Sequence, residues 1–272
     1  MGGAARPREA AVAWIRRLVL AAAALGVSAP AFAGAWPLNK GEGLIITTGL
    51  FDRADAWFDD DAERRDGGYY RKQETAVFLE FGLTERITLV GRTAWQDVTR
   101  VDHGIVDSAR GFAASEAGVR ALVWRGERSV LSTQAAIIIP GAGENIADLP
   151  LGDGGQGAEI RFLIGHTPTD SVFLDVQAAY RWREAPFPDE LRLDVTAGWR
   201  PRERLLLMAQ EFSAWSTGEL EIGQRPFSQH KLQFSAAWEF DRGTVQAGVI
   251  VTPAGRNAIA EEAIVLSWWR RF

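Results

Sequence analysis

From residue 43 onward the chain is dominated by two-residue alternation, which only an extended backbone can use, because its successive side chains point to opposite faces. Gln73, Thr75, Val77, Leu79, Phe81 and Leu83 share one face, while Lys72, Glu74, Ala76, Phe78, Glu80 and Gly82 share the other. Val172, Leu174, Val176, Ala178, Tyr180 and Trp182 likewise oppose Asp175, Gln177, Arg181 and Arg183. The same contrast sets Leu232, Phe234, Ala236, Trp238 and Phe240 against Lys231, Gln233, Ser235 and Glu239. The pattern predicts strands over 43–57, 72–83, 87–97, 115–124, 129–139, 158–166, 171–182, 190–200, 205–216, 228–240, 244–252 and 259–272. The first, fifth and last have the least regular polar face, interrupted by Ile45, Phe51, Ile138, Val265 and Trp269. One apolar and one polar face per strand excludes a sheet buried on both sides.

The connections sort themselves as well. Tight turns at 84–86, 125–128, 167–170, 201–204 and 241–243 alternate without exception with longer polar stretches at 58–71, 98–114, 140–157, 183–189, 217–227 and 253–258. Bacterial transmembrane barrels with an even strand count have this order, with short turns on the periplasmic side and long loops outside. A soluble β-sandwich has no reason to sort its loops by length. Tryptophan gives an independent indication. Trp57, Trp95, Trp182 and Trp215 fall at strand ends beside long loops, and Trp124, Trp199, Trp238 and Trp268 at ends beside short turns or the C-terminus. Indole favours the boundary between hydrocarbon and headgroups, so two aromatic girdles are expected of a barrel wall. The fold class expected is all-β, a twelve-stranded antiparallel transmembrane β-barrel over 43–272.

Ahead of the barrel, Arg6, Arg8, Arg16 and Arg17 precede an apolar stretch over 18–29 and then Ala31-Phe32-Ala33. A basic start, a short apolar middle and an A-x-A ending read as a secretory signal over 1–33, cleaved after Ala33. Residues 34–42 are expected to form a periplasmic N-terminal segment, with a fold back into the lumen as a partial plug as the alternative. Removing the signal takes away four Arg and one acid, which leaves 26 basic and 34 acidic side chains. So acidic a chain is a poor nucleic-acid binder. With no Cys, a disulfide scaffold, a thiol nucleophile, a Cys-based zinc site and a diacylglyceryl anchor are excluded together.

The last strand, ending in Ile264, Leu266, Trp268 and Phe272, resembles the C-terminal signature that the barrel-assembly machinery reads, with Arg270 a departure where a hydrophobic residue is usual. Gly82-Leu83-Thr84-Glu85-Arg86-Ile87-Thr88-Leu89 resembles a turn of several outer-membrane barrel families. Gly34-Ala35-Trp36-Pro37, Lys40-Gly41-Glu42-Gly43 and Tyr70-Arg71-Lys72-Gln73-Glu74 are similar to the XagA-like group of these proteins, most specifically over 34–95. The resemblance implies an outer-membrane barrel with no established activity and no catalytic residues to carry over.

If the apolar faces meet lipid and lipopolysaccharide, the interior is lined by Glu74, Glu80, Arg92, Glu116, Arg120, Glu159, Arg161, Asp175, Arg181, Arg192, Asp194, Glu211, Lys231 and Glu239. Twelve strands fall between eight-stranded barrels filled by side chains and sixteen-stranded porins with an open channel. The expectation is a narrow passage for small polar solutes in the outer membrane of a Gram-negative bacterium, ordered by facing arginines and acids. The same charges also fit a barrel that conducts nothing, neutralising one another across the interior. A second reading is a lipid hydrolase using Ser228 and His230, two apart on the outward parity at the outer end of strand ten, though no third member is identifiable. A third is a barrel for surface polysaccharide export or envelope structure. No metal or cofactor is expected: His103 and His166 lie apart from His230, Asp59, Asp60 and Asp61 have Arg64 and Arg65 just downstream, and 141–157 lacks the ending of a phosphate loop and the spacing of a calcium hand.

Overall fold

The computed structural model describes residues 34–272 apart from 103, 147–154, 186 and 218–224. The signal segment, His103 and half of the 141–157 stretch therefore lie outside the described residues. Fifteen strands occur: β1 (Gly43–Phe58), β2 (Arg64–Gly82), β3 (Ile87–Asp102), β4 (Ile105–Phe112), β5 (Ser115–Arg125), β6 (Ser129–Ile139), β7 (Ala142–Ile146), β8 (Gly157–Thr169), β9 (Val172–Arg183), β10 (Asp189–Arg202), β11 (Leu205–Thr217), β12 (Ser228–Phe240), β13 (Gly243–Arg256), β14 (Ala258–Ile259) and β15 (Glu262–Arg271).

Twelve of them make a closed antiparallel wall in the order β1-β2-β3-β5-β6-β8-β9-β10-β11-β12-β13-β15. The ring shuts where β15 pairs with β1 over Arg53↔Glu262 to Leu44↔Arg271, and Phe272 and Gly43 continue that ladder with reciprocal backbone bonds of 2.7 and 3.0 Å. Closure leaves the twelve-stranded wall without a free edge and satisfies its backbone internally, the condition for a β-structure in hydrocarbon. The remaining strands extend the wall at the long-loop end: β4 pairs with β3, β7 with β4, and β14 with β1.

The turn chemistry explains the short connections. Thr84 accepts at its hydroxyl from the N–H groups of Arg86 and Ile87 at 3.2 and 3.0 Å, closing the β2–β3 turn. Gly243, at φ +147, opens β13 in a conformation that L side chains rarely adopt. At the other end the Asp59 carboxylate accepts from the N–H groups of Asp61 and Glu63 and from Arg65 Nε, which lets Ala62 sit at φ +63.

The outward face is apolar. Phe51, Val119, Ile137, Phe162, Ile164, Phe234, Val249 and Ile264 all stand exposed. The eight tryptophans of the expected girdles also face outward, and neighbouring strands hold them level: Val245 is the register partner of both Trp238 and Trp268, and Leu191 that of Trp215. Leu191 and Trp199 are eight residues apart on β10. At about 3.3 Å per residue and a tilt near 40° they mark levels roughly 20 Å apart, close to the height of about 25 Å expected for an apolar band.

Residues 34–38 are not a periplasmic extension. They lie inside the barrel at the short-turn end, where Ala35 is fully buried and packs with Val130, Leu163, Trp36 and Leu122. Only 39–42 sit at the mouth, against the β2–β3 turn. This packing gives the physical reason for the irregular polar faces of β1 and β15: Leu44 and Trp269 point inward and fill that end of the lumen.

The candidate functional site in the lumen

Above this packed end the lumen opens into a cavity of about 700 Å³. Lys72, Glu74, Arg92, Glu116, Arg161, Arg181, Arg192 and Asp194 line it, with Phe78, Val98 and Phe212 forming an apolar flank. The inward parity of β2, β3, β5, β8, β9 and β10 delivers one or two of these charges from each strand, so acids and arginines meet across the wall.

One array runs from β2 to β10. Arg92 Nη2 donates to Glu74 at 2.6 Å, and Arg92 is the register partner of Glu116. Arg181, only 2% exposed, reaches from β9 to Glu116 on β5 and to Glu159 on β8, at 2.8 Å each. Glu159 also holds Arg161 at 2.8 Å, and Arg161 in turn pairs with Asp194 and donates to Gln177 at 2.9 Å. Arg192 and Arg183 share the two oxygens of Glu190, at 2.9 and 2.6 Å. A second array covers β1, β2 and β12, where Lys72 lies 3.3 Å from Asp52, while Lys231 pairs with Glu261. Burial of ions is costly, and each array offsets the cost by giving every carboxylate a cation and a fixed direction.

Glu80 and Arg120 form the floor. Both are essentially buried and pair at 2.8 Å. Asp175 lies there too, and Arg200 meets Glu239 at 3.5 Å.

The structure places thirteen of the fourteen expected lumen residues on the inward face; Glu211 is a correction. Its register partners are Val195 and Leu232, so it projects outward. The reason is parity: on β11 the inward positions belong to Leu206, Met208, Gln210 and Phe212. Sequence reasoning also missed Asp52, Lys72, Arg183, Glu190 and Glu261. Glu190, Lys72 and Glu261 carry the right parity and were legible, Glu261 standing opposite the face of Ile264, Leu266 and Trp268 in the expected strand over 259–272.

Outside the barrel Ser228 and His230 do share a face, but His230 meets Ser213 instead, with Nδ1 2.9 Å from Oγ. Ser213 is buried and donates its hydroxyl proton to Glu211 Oε1, also at 2.9 Å. A hydroxyl already giving its only proton to a carboxylate is not being deprotonated by imidazole, so the serine lies between acid and base where a nucleophilic arrangement has the histidine in the middle. His166 hydrogen-bonds Ser129 beside a short turn. Asp59 binds Arg65 at 2.7 Å, a bond that holds its carboxyl below the usual range, and Asp60 binds Arg256 and Asn257. Among the described residues no group of three or more potential ligands is poised for a metal.

No family model matches the sequence, and no curated protein does. Solved structures match the fold. The COG4313 outer membrane channel from Pseudomonas putida F1 superposes with a TM-score of 0.75 at 12% identity, over 89% of this chain and 99% of that one. The β domain of the Bordetella autotransporter BrkA gives 0.54 at 12% identity, over 86% and 100%. The NanC porin gives 0.51 at 6% identity, over 83% and 98%. The protein is a twelve-stranded antiparallel β-barrel of the outer-membrane type.

Proposed function

We propose that the protein is a channel of the Gram-negative outer membrane that admits small polar solutes through a narrow, charge-lined lumen. The observation that carries this reading is the cavity of about 700 Å³ in the lumen, whose wall is built from ion-paired side chains with an apolar flank beside it. A barrel needing only to neutralise its interior has no use for such a space. The likeness to an outer membrane channel and to a porin supports the same reading. The cavity ends on the floor of Glu80, Arg120, Asp175 and residues 34–38, so passage requires the N-terminal segment to yield.

Reconstitution in planar bilayers tests the proposal. Discrete conductance steps are expected, larger in a variant lacking residues 34–38. Arg161→Ala, which leaves Asp194 and Glu159 each short of a cation, should shift ion selectivity toward cations. A folded barrel that conducts in neither form overturns the reading and leaves an envelope-structure role. Fatty-acid release from phospholipid or lipid A, abolished by Ser213→Ala or Ser228→Ala, would favour the hydrolase.

A further inference from the structure

Asp175 is 3% exposed on the inward face of β9, at the floor of the cavity. Its described partners are neutral: Gln177 Nε2 donates at 2.6 Å and the backbone N–H of Ala35 at 2.7 Å. Among the described residues no cationic side chain pairs with it, for the neighbouring Arg120 is taken by Glu80. A buried carboxylate without a cation is expensive, and every other acid in the belt has one. Gly34 presses against this carboxylate so closely that a Cβ there would collide with it. Beyond Gly34 the segment is tied down at every residue but Pro37: Ser132 Oγ donates to the Ala35 carbonyl at 2.6 Å, Trp36 sets its ring edge-on to Phe173 at 6.3 Å, and the Leu38 N–H donates to Thr88 Oγ1 at 3.3 Å.

The sequence pattern places the signal-cleavage bond at Ala33–Gly34. Hydrolysis adds water across that amide: the hydroxyl goes to the Ala33 carbonyl, which leaves as a carboxylate, and the Gly34 nitrogen becomes an ammonium at neutral pH. We propose that processing supplies the missing cation, so that the α-ammonium of Gly34 pairs with Asp175 and latches residues 34–38 as a plug across the periplasmic end of the lumen. Glycine at 34 lets the chain end lie against the carboxylate without displacing it. A chain cut elsewhere would bring its charge to the wrong place. The latch rests on the cleavage position and makes the channel reading specific: the part that must yield is held by one ion pair made only at maturation.

Amine labelling of the protein purified from outer membranes tests this without any conductance measurement. An α-amine has an ordinary pKa of about 8, and each unit of upward shift lowers its reactive neutral fraction about tenfold. At pH 7 an acylating reagent, read by mass spectrometry with exposed Lys40 as internal control, should modify Gly34 at least about tenfold more slowly in the folded wild type than in the urea-unfolded chain. Asp175→Asn should remove most of that protection. A two-residue insertion between Ala33 and Gly34, which keeps Asp175 but displaces the ammonium, should remove it too and enlarge the conductance. A mature chain that does not begin at Gly34, or a folded wild type labelled as fast as the unfolded chain, overturns the latch. A protected amine in a barrel that never conducts would sustain the latch while defeating the channel.

Discussion

Replacing Arg181 with Met removes the cation that joins two strands not adjacent in the wall. Arg181 is buried, contacts Glu116 and Glu159 at 2.8 Å each, and sends its Nε to Glu159 at 2.9 Å. Breaking a buried ion pair from one side costs roughly 3–5 kcal/mol, because the partner stays buried without compensation. Glu159 retains Arg161 at 2.8 Å, and the Glu116 side chain is 26% exposed, so part of the penalty is relieved. The expected loss therefore lies at the lower end, about 3 kcal/mol, or about a 150-fold change in the unfolding equilibrium. Reversible urea unfolding in lipid vesicles, followed by tryptophan emission, measures it. Adding Glu116→Gln to Arg181→Met should restore more than half of the loss, since the stranded charge is gone. Wild-type stability of Arg181→Met, within about 0.5 kcal/mol, would refute the reasoning that this network is both desolvated and needed.

Phe162, 56% exposed on the outward face, should tolerate Arg poorly: Phe162→Arg is expected to cost about 2–4 kcal/mol in the same assay, and no loss would mean that this face does not meet hydrocarbon. The Asp59 carboxyl, held low by its bond from Arg65, stabilises its loop above the ordinary carboxylate pKa of about 3.9 and loses that contribution as pH falls through the lower folded value. The protection of the Asp61 and Glu63 amides against hydrogen exchange, relative to the unfolded chain at the same pH, should thus be retained at pH 5 and fall only well below about 3.9; protection unchanged at pH 2 would contradict this. Phe272→Ala should lower the amount of folded barrel, because the terminal aromatic packs at Gly43 on the closing seam; wild-type amounts would count against that role.

The wall was legible because lipid outside and charge inside write a period of two into each strand. The boundaries of β6 and β12 coincide with the expected segments. Legibility fails where the apolar face ends. Residues 64–71 extend β2 well above the band, yet Arg64, Arg65, Asp66, Gly67 and Gly68 are polar or glycine on both faces, and backbone pairing there leaves no periodic trace. β4 and β7 are hidden in expected loops as well, since IVDSARGF and AGENI are short and put apolar and polar residues on both faces without alternation. The ion-pair belt was half legible: parity told which charges point inward, but not that Arg181 would reach across two intervening strands to Glu116. Glu211 shows an acid assigned without the parity of its whole strand, for Leu205, Leu207 and the girdle residue Trp215 share its face, and register sets it beside Val195 and Leu232. The inward course of residues 34–38 had no periodic signature, since its contacts are with residues as distant as Ser132 and Asp175, 97 and 140 positions from Ala35.

The chain has no native cysteine, so a spin label can be placed residue by residue along 158–166 of β8 in the reconstituted protein. The account expects accessibility to dissolved oxygen to peak at 160, 162 and 164, with 159, 161 and 163 shielded from it. Loss of that two-residue period, or the opposite phase with 159, 161 and 163 in contact with acyl chains, would contradict the claim that the charged face of this barrel is enclosed.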